Sequence, residues 1–353
     1  MVIRIPELSV SKGKWRGREA YTLSNGTLRL VTLTGGGHIA EFSHADADSV
    51  SPLWVPPWRT IEPYSYRARR DAVRYGSITE GKLLSGLAGH SICLDYFGSP
   101  SVEESEQGLS QHGEAPSSRW IASSRRTTDS EATLVLETRL PAARLLFERQ
   151  IALRPGEPVV YFRETVANLA KADHFFHWTQ HVTLGPPFLA ADEVIVSIPG
   201  TKGMTFPHGY DEGKALLQDG KVFEWPNAPR KPEGTTDLTR PLSHQGLGYV
   251  AGVLLDPQLE WGFVAAVNQR LGVLLAYCFR RSDFPWVALW EENKAIEAVP
   301  WRSETVALGL EFGTTPLPVS RRENFTRGGP LFDVPTVACI PPRREKPSSI
   351  SPC

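Results

Sequence analysis

Glu131-Ala132-Thr133-Leu134-Val135-Leu136-Glu137-Thr138-Arg139-Leu140 is the stretch on which the fold turns. Ala132, Leu134, Leu136 and Leu140 fall on one side of an extended chain, and Thr133, Glu137 and Arg139 fall on the other. A side-chain period of two is that of a strand with one buried face. The alternation recurs at 305–312, where Val306, Leu308, Leu310 and Phe312 share a face, and at 159–166, after the turn Arg154-Pro155-Gly156-Glu157-Pro158. Strands at 21–33, 250–255, 262–267, 273–278 and 286–290 complete the pattern. Helical periodicity is weak, its best candidate being residues 101–108, rich in Glu and Ser. With 30 Gly and 29 Pro as punctuation, no repeat and no mid-chain linker, the expectation is one all-β domain over 1–340, a large antiparallel sandwich. Residues 341–353, with little to bury, read as an extended or disordered C-terminal tail.

Composition narrows the function. In 353 residues, 41% are hydrophobic, enough for a sizeable core. The 38 Lys+Arg against 39 Asp+Glu leave no basic field to draw in a phosphate backbone, so nucleic acid is not an expected partner. No apolar run reaches the roughly 18 residues of a membrane span, and the start lacks an apolar stretch of signal-peptide length, which points to the cytoplasm. Cys93, Cys278, Cys339 and Cys353 are scattered without a CxxC pair and read as reduced thiols. Gly35-Gly36-Gly37 lacks the rest of a nucleotide-binding fingerprint and reads as a turn.

Three polar clusters stand in apolar, aromatic surroundings. The first runs from Gly89-His90 to Gln111-His112-Gly113, where glycine after histidine allows a sharp bend that presents an imidazole. The second is His174-Phe175-Phe176-His177-Trp178-Thr179-Gln180-His181, in which His177 and His181 share one strand face and His174 takes the other. Aromatic rings can pack on a pyranose while imidazoles reach its oxygens. The third is Trp286-Val287-Ala288-Leu289-Trp290-Glu291-Glu292-Asn293, whose adjacent acids point to opposite faces, so at most one enters a given cleft.

Taken in order, these segments resemble the galactose mutarotase (aldose 1-epimerase) superfamily. The resemblance lies in Tyr21-Thr22-Leu23-Ser24-Asn25-Gly26, in His112-Gly113 followed by Trp120, and in Gly156-Glu157-Pro158-Val159-Val160-Tyr161 leading through Asn168 to His181. Leu289-Trp290-Glu291-Glu292-Asn293 is similar to that family's Leu-Glu-Thr-Gln segment, and the whole resemblance spans roughly 15–320. It implies a β-supersandwich with a sugar in an open cleft, and an epimerase that interconverts anomers by general acid and base catalysis. His181 would be the acid and Glu291 the base. His112, His90 and Glu292 would bind substrate, Glu292 replacing Glu291 as base if the register slips by one.

The implied chemistry, one proton taken from the anomeric hydroxyl and one given to the ring oxygen, calls for no cofactor and no metal. The implied partner is a small carbohydrate. The family's sugar-binding arginine has no match, Gly89-His90 lying near its place, and its aspartate is missing from Ser243-His244-Gln245-Gly246. Hydroxyl recognition therefore differs. A sugar-binding protein without catalysis, or a polysaccharide lyase or hydrolase on the same sandwich, is the alternative.

Overall fold

In the computed structural model, residues 8–46, 49–76, 78–106, 109–211, 213–326 and 330–352 are described. The stretch Ala132–Leu140 is a strand, with Leu134, Leu136 and Leu140 fully buried and Arg139 exposed. Its period of two sets one face against a second sheet and leaves the other to solvent. It pairs with Leu145–Leu153, which pairs with Val160–Asn168, and these belong to an eight-stranded antiparallel sheet.

The opposing sheet has twelve strands and runs from Ser9–Trp15 at one edge to Val222–Glu224 at the other. At its centre lie His90–Asp95, His174–Leu184, Val306–Gly313 and Trp286–Asn293, side by side in that order. Between the sheets Phe147 meets Trp120 and Trp178 edge to face, at centroid distances of 5.2 and 6.1 Å. Fully burying a side chain such as Phe147 contributes roughly 1.5–3 kcal/mol. Helices are short: Ala68–Tyr75, Ile78–Leu84, Val102–Glu106 and Arg321–Thr326. The expected helix at 101–108 is thus confined to Val102–Glu106, with residues 107 and 108 outside the described residues. Gly35-Gly36-Gly37 lies in the connection between the strands Leu28–Leu33 and Ile39–His44.

The C-terminal tail is a correction to the sequence reading. Glu345–Pro352 is a strand of the eight-stranded sheet, between Val160–Asn168 and Val273–Arg280. Ile350 and Ser348 are buried, at 1% and 3% exposure, so the domain extends past residue 340. Pro347 is compatible with this place because the partner strand Val273–Arg280 engages only residues 350–352, leaving the chain at Pro347 paired on one side. Cys93, Cys278 and Cys339 are free thiols, and Cys353 lies outside the described residues.

A buried polar chain crosses the core. Arg149 donates to Glu164 at 2.5 Å and to the Gly37 carbonyl at 2.9 Å. Gln180 donates to Glu164 at 2.5 Å, and its carbonyl oxygen lies 2.9 Å from His90 Nε2. Each charge is paired and bonded, the condition under which a charge can be buried at all.

Candidate active site

Every residue of His174–Leu184 from Phe176 onward is buried, because both faces of this central strand are covered. Phe176, Trp178 and Val182 belong to the intersheet core, which leaves His177, Thr179, His181 and Thr183 on the outer face. His181 is in direct register with Glu311 on Val306–Gly313, so their side chains stand together on that face. Glu311 Oε1 lies 3.1 Å from His181 Nε2, and His181 Nδ1 lies 3.0 Å from Thr183 Oγ1. Gly309, two residues back on the same face, makes room for this carboxyl: a Cβ there would stand 2.2 Å from Glu311 Oε1.

His112 arrives from a loop. It has φ of 62°, and Gly113 follows with φ of 80°; a Cβ on Gly113 would sit 1.9 Å from the Leu94 carbonyl oxygen, so only glycine permits this bend. The Gly98 amide donates to His112 Nδ1 at 3.0 Å, which leaves Nε2 to carry the proton. The His112 ring stacks on Phe97 and meets the His181 ring at a centroid distance of 5.2 Å. Trp290 stands on the other side of His181, at 5.9 Å. These groups line a cleft of about 320 Å³.

Of the five residues named from the sequence, the structure brings His112 and His181 together in one cleft, and the other three lie elsewhere. Glu291 is on the face of Trp286–Asn293 opposite to Trp290 and points into the interior, where its Oε2 accepts the Leu242 amide at 3.1 Å. It does not meet His181, so the base cannot be placed there. Glu292 shares the face of Trp290 but is fully buried: Oε1 accepts the Ala295 and Ile296 amides at 2.6 and 3.0 Å, and Oε2 accepts the Tyr210 hydroxyl at 2.6 Å. Its acceptors are committed to protein. His90 points between the sheets, bonded to Gln180 and 3.2 Å from the Tyr277 hydroxyl, and does not face the cleft.

Glu311 is the residue the sequence reading missed. The signal was present: once Leu308, Leu310 and Phe312 are assigned to the core, Glu311 must face the other way, and Leu310-Glu311 offers the Leu-Glu step that had been matched at 289–293.

Burial sets the protonation of the site. It lowers His181 to about 4, holds His112 well below the usual imidazole range, and raises Glu311 well above the usual carboxylate range. All three directions favour the neutral form. A neutral carboxyl 3.1 Å from a neutral imidazole is a pair across which a proton can pass. Among the described residues no group of three or more His, Cys, Asp or Glu is disposed to hold a metal ion, and no helix is long and apolar enough to cross a membrane.

No family model matches this sequence, and no curated protein matches it closely enough to be significant. Solved structures do. A Klebsiella pneumoniae protein provisionally named an aldose 1-epimerase superposes with a TM-score of 0.68 at 14% identity, over 99% of this chain and 84% of its own. A galactose mutarotase-like protein from Clostridium acetobutylicum gives 0.64 at 11% identity over 98% of each chain. A galactose mutarotase-like protein from Lactobacillus casei gives 0.55 at 13% identity, over 94% of this chain and 99% of its own. With the two antiparallel sheets and the outer-face cleft, these likenesses show that the chain has a galactose mutarotase-like fold.

Proposed function

We propose that the protein interconverts the anomers of an aldose by acid and base catalysed ring opening, with Glu311 and His181 as the reacting pair. The observation that carries this reading is the 3.1 Å approach of Glu311 Oε1 to His181 Nε2 in a cleft large enough for a monosaccharide. Moving the shared proton from the carboxyl to the imidazole yields the working form. His181 then gives a proton to the ring oxygen as the bond from C1 to that oxygen breaks, and Glu311 takes the proton of the C1 hydroxyl, leaving an aldehyde. Rotation about C1–C2 presents the other carbonyl face. Closure returns the ring-oxygen proton to His181 and a proton from Glu311 to O1, so the pair is reset. Thr183 steadies the far nitrogen of His181, and the Nε2 proton of His112 is placed to donate to a sugar oxygen. The fold likeness to proteins named as mutarotases supports this chemistry as analogy.

Exchange spectroscopy on freshly dissolved aldoses tests it. Glu311→Gln and His181→Asn should each slow enzyme-dependent exchange by about 10²-fold or more, the usual worth of a positioned acid or base. The double variant should lose little beyond the worse single one, because the two act as a unit. Retained exchange in both single variants overturns the assignment, and sugar binding without any exchange in the native protein leaves a carbohydrate-binding protein.

A further inference from the structure

We propose that the cleft selects an uncharged sugar bearing an apolar substituent at C5, a methyl in place of the usual hydroxymethyl, which packs on a wall formed by Leu83, Leu84, Leu87, Ile296 and Trp301. The proposal rests on the ring-opening reading for one thing only, the placement of the ring oxygen beside His181.

The wall is apolar and preformed. Leu83, Leu84 and Leu87, at the end of the helix Ile78–Leu84 and just beyond it, are each under 5% exposed yet border the cleft. Trp301 stacks on Trp54 at 6.3 Å and meets Trp58 edge to face at 5.2 Å, so its ring is held from behind. Ile296 is fixed through its own amide by Glu292, whose other oxygen takes the hydroxyl of Tyr210. Tyr210 in turn accepts the Trp290 indole N–H at 3.0 Å. One carboxylate thus ties the wall to the strand beside the reacting pair.

Position and polarity point to the same part of the sugar. In a pyranose, the C5 substituent is the exocyclic group nearest the ring oxygen. Going outward from His181, Trp290 comes first, and Trp301 lies 5.9 Å beyond it. With the ring oxygen at His181 and O1 at Glu311, the C5 group is the one we set against this wall. Glu80 shares the helical face of Leu83, Leu84 and Leu87 but is exposed at its outer end; a hydroxyl set against Leu87, Ile296 and Trp301 would give up water without gaining a partner there. The ionisable groups bordering the cleft are Glu80, Tyr210, Asp211 and Glu311 with the two imidazoles, and among the described residues no Lys or Arg lines it. A phosphate or carboxylate on C6 would meet apolar surface and like charge.

Matched pairs test the proposal: D-fucose with D-galactose, D-quinovose with D-glucose, L-rhamnose with L-mannose, and the hexose 6-phosphates. For the preferred ring configuration, kcat/KM should favour the 6-deoxy sugar by about tenfold or more, within the range that one small group in an apolar pocket supplies. The 6-phosphate should show no enzyme-dependent exchange. Ile296→Thr, on a half-buried loop position, and Leu87→Gln should move that ratio toward one. Melting temperature and circular dichroism establish that each variant is folded.

Methyl glycosides of the same pairs cannot open, so saturation-transfer binding reads recognition apart from catalysis. Tighter binding of the 6-deoxy glycoside without exchange of any free sugar supports the wall and overturns ring opening. Exchange with equal use of both members, an unchanged ratio in a folded Ile296→Thr variant, or turnover of the 6-phosphate overturns the wall.

Discussion

Glu291 and Glu311 are both buried in neighbouring strands, and what separates them is which face of the sheet each side chain leaves. Glu311 stands beside an imidazole, whereas Glu291 sits among Leu242, Tyr249 and Leu289 in the interior. Burial raises Glu291 to about 7. A carboxyl whose folded value lies above its unfolded value stabilises the fold fully below the unfolded value of about 4.5 and loses that contribution as pH rises through about 7. The whole effect is on the order of 3 kcal/mol. Glu291→Gln keeps an acceptor for the Leu242 amide, so anomer exchange should stay within about twofold, while the variant's melting temperature should gain on the native protein from pH 5 to pH 8. A gap that does not change with pH would mean that the interior carboxyl is not neutral. Residue identity was legible where alternation is clean, as at 306–312. It was not at 290–292, where two adjacent acids are each consumed by a structural task that only the folded loop reveals.

The C-terminal strand teaches the corresponding lesson about elements. Its sequence, Glu345-Lys346-Pro347-Ser348-Ser349-Ile350-Ser351-Pro352, offers one apolar side chain, and period-two reading has nothing to count. What makes it a strand is the pair of neighbours waiting on either side, which supply the backbone partners. Ile350 is almost fully buried within the main core. Ile350→Ala should therefore cost about 2–5 kcal/mol, as truncations of buried aliphatic side chains do. A loss below about 0.5 kcal/mol in urea unfolding, the scale of surface substitutions, would show the strand to be peripheral. The strands at 131–140 and 159–166 were readable because their outer faces meet water. His174–Leu184, covered on both faces, hid its alternation and stood out only by its three histidines.

Over the whole molecule, the sandwich buries imidazoles in their neutral form. His38 accepts the Ala88 amide at Nδ1 and faces the Pro116 carbonyl at Nε2, 3.0 Å away, and burial lowers it to about 3. His90, His112 and His181 are lowered as well. A histidine whose folded value is depressed stabilises the fold above its unfolded value of about 6.5 and loses that contribution as pH falls toward the folded value. Glu291 and Glu311, protonated in the fold, oppose this trend near pH 5 and cease to do so once the unfolded chain is protonated too. Stability should fall as pH drops below about 6.5 and more steeply below about 4.5. His38→Gln, which can serve both backbone partners, should flatten the loss between pH 6.5 and 4 in pH-dependent urea melts. An unchanged slope would place that proton uptake on other groups.

The register that sets His181 against Glu311 joins residues 130 positions apart in the chain. Nothing local holds them together, and the strand Trp286–Asn293 must also be in place before Trp290 and the Glu292 loop close the cleft. Contacts this distant in sequence form slowly, on a timescale of roughly milliseconds to seconds for sheet-rich domains. In a refolding population, the pair is therefore absent from every species in which the centre of the large sheet is open. Recovery of the proposed anomer exchange measures how much of that sheet has zipped, and a newly made chain can bring the pair together only after Val306–Gly313 has been synthesised.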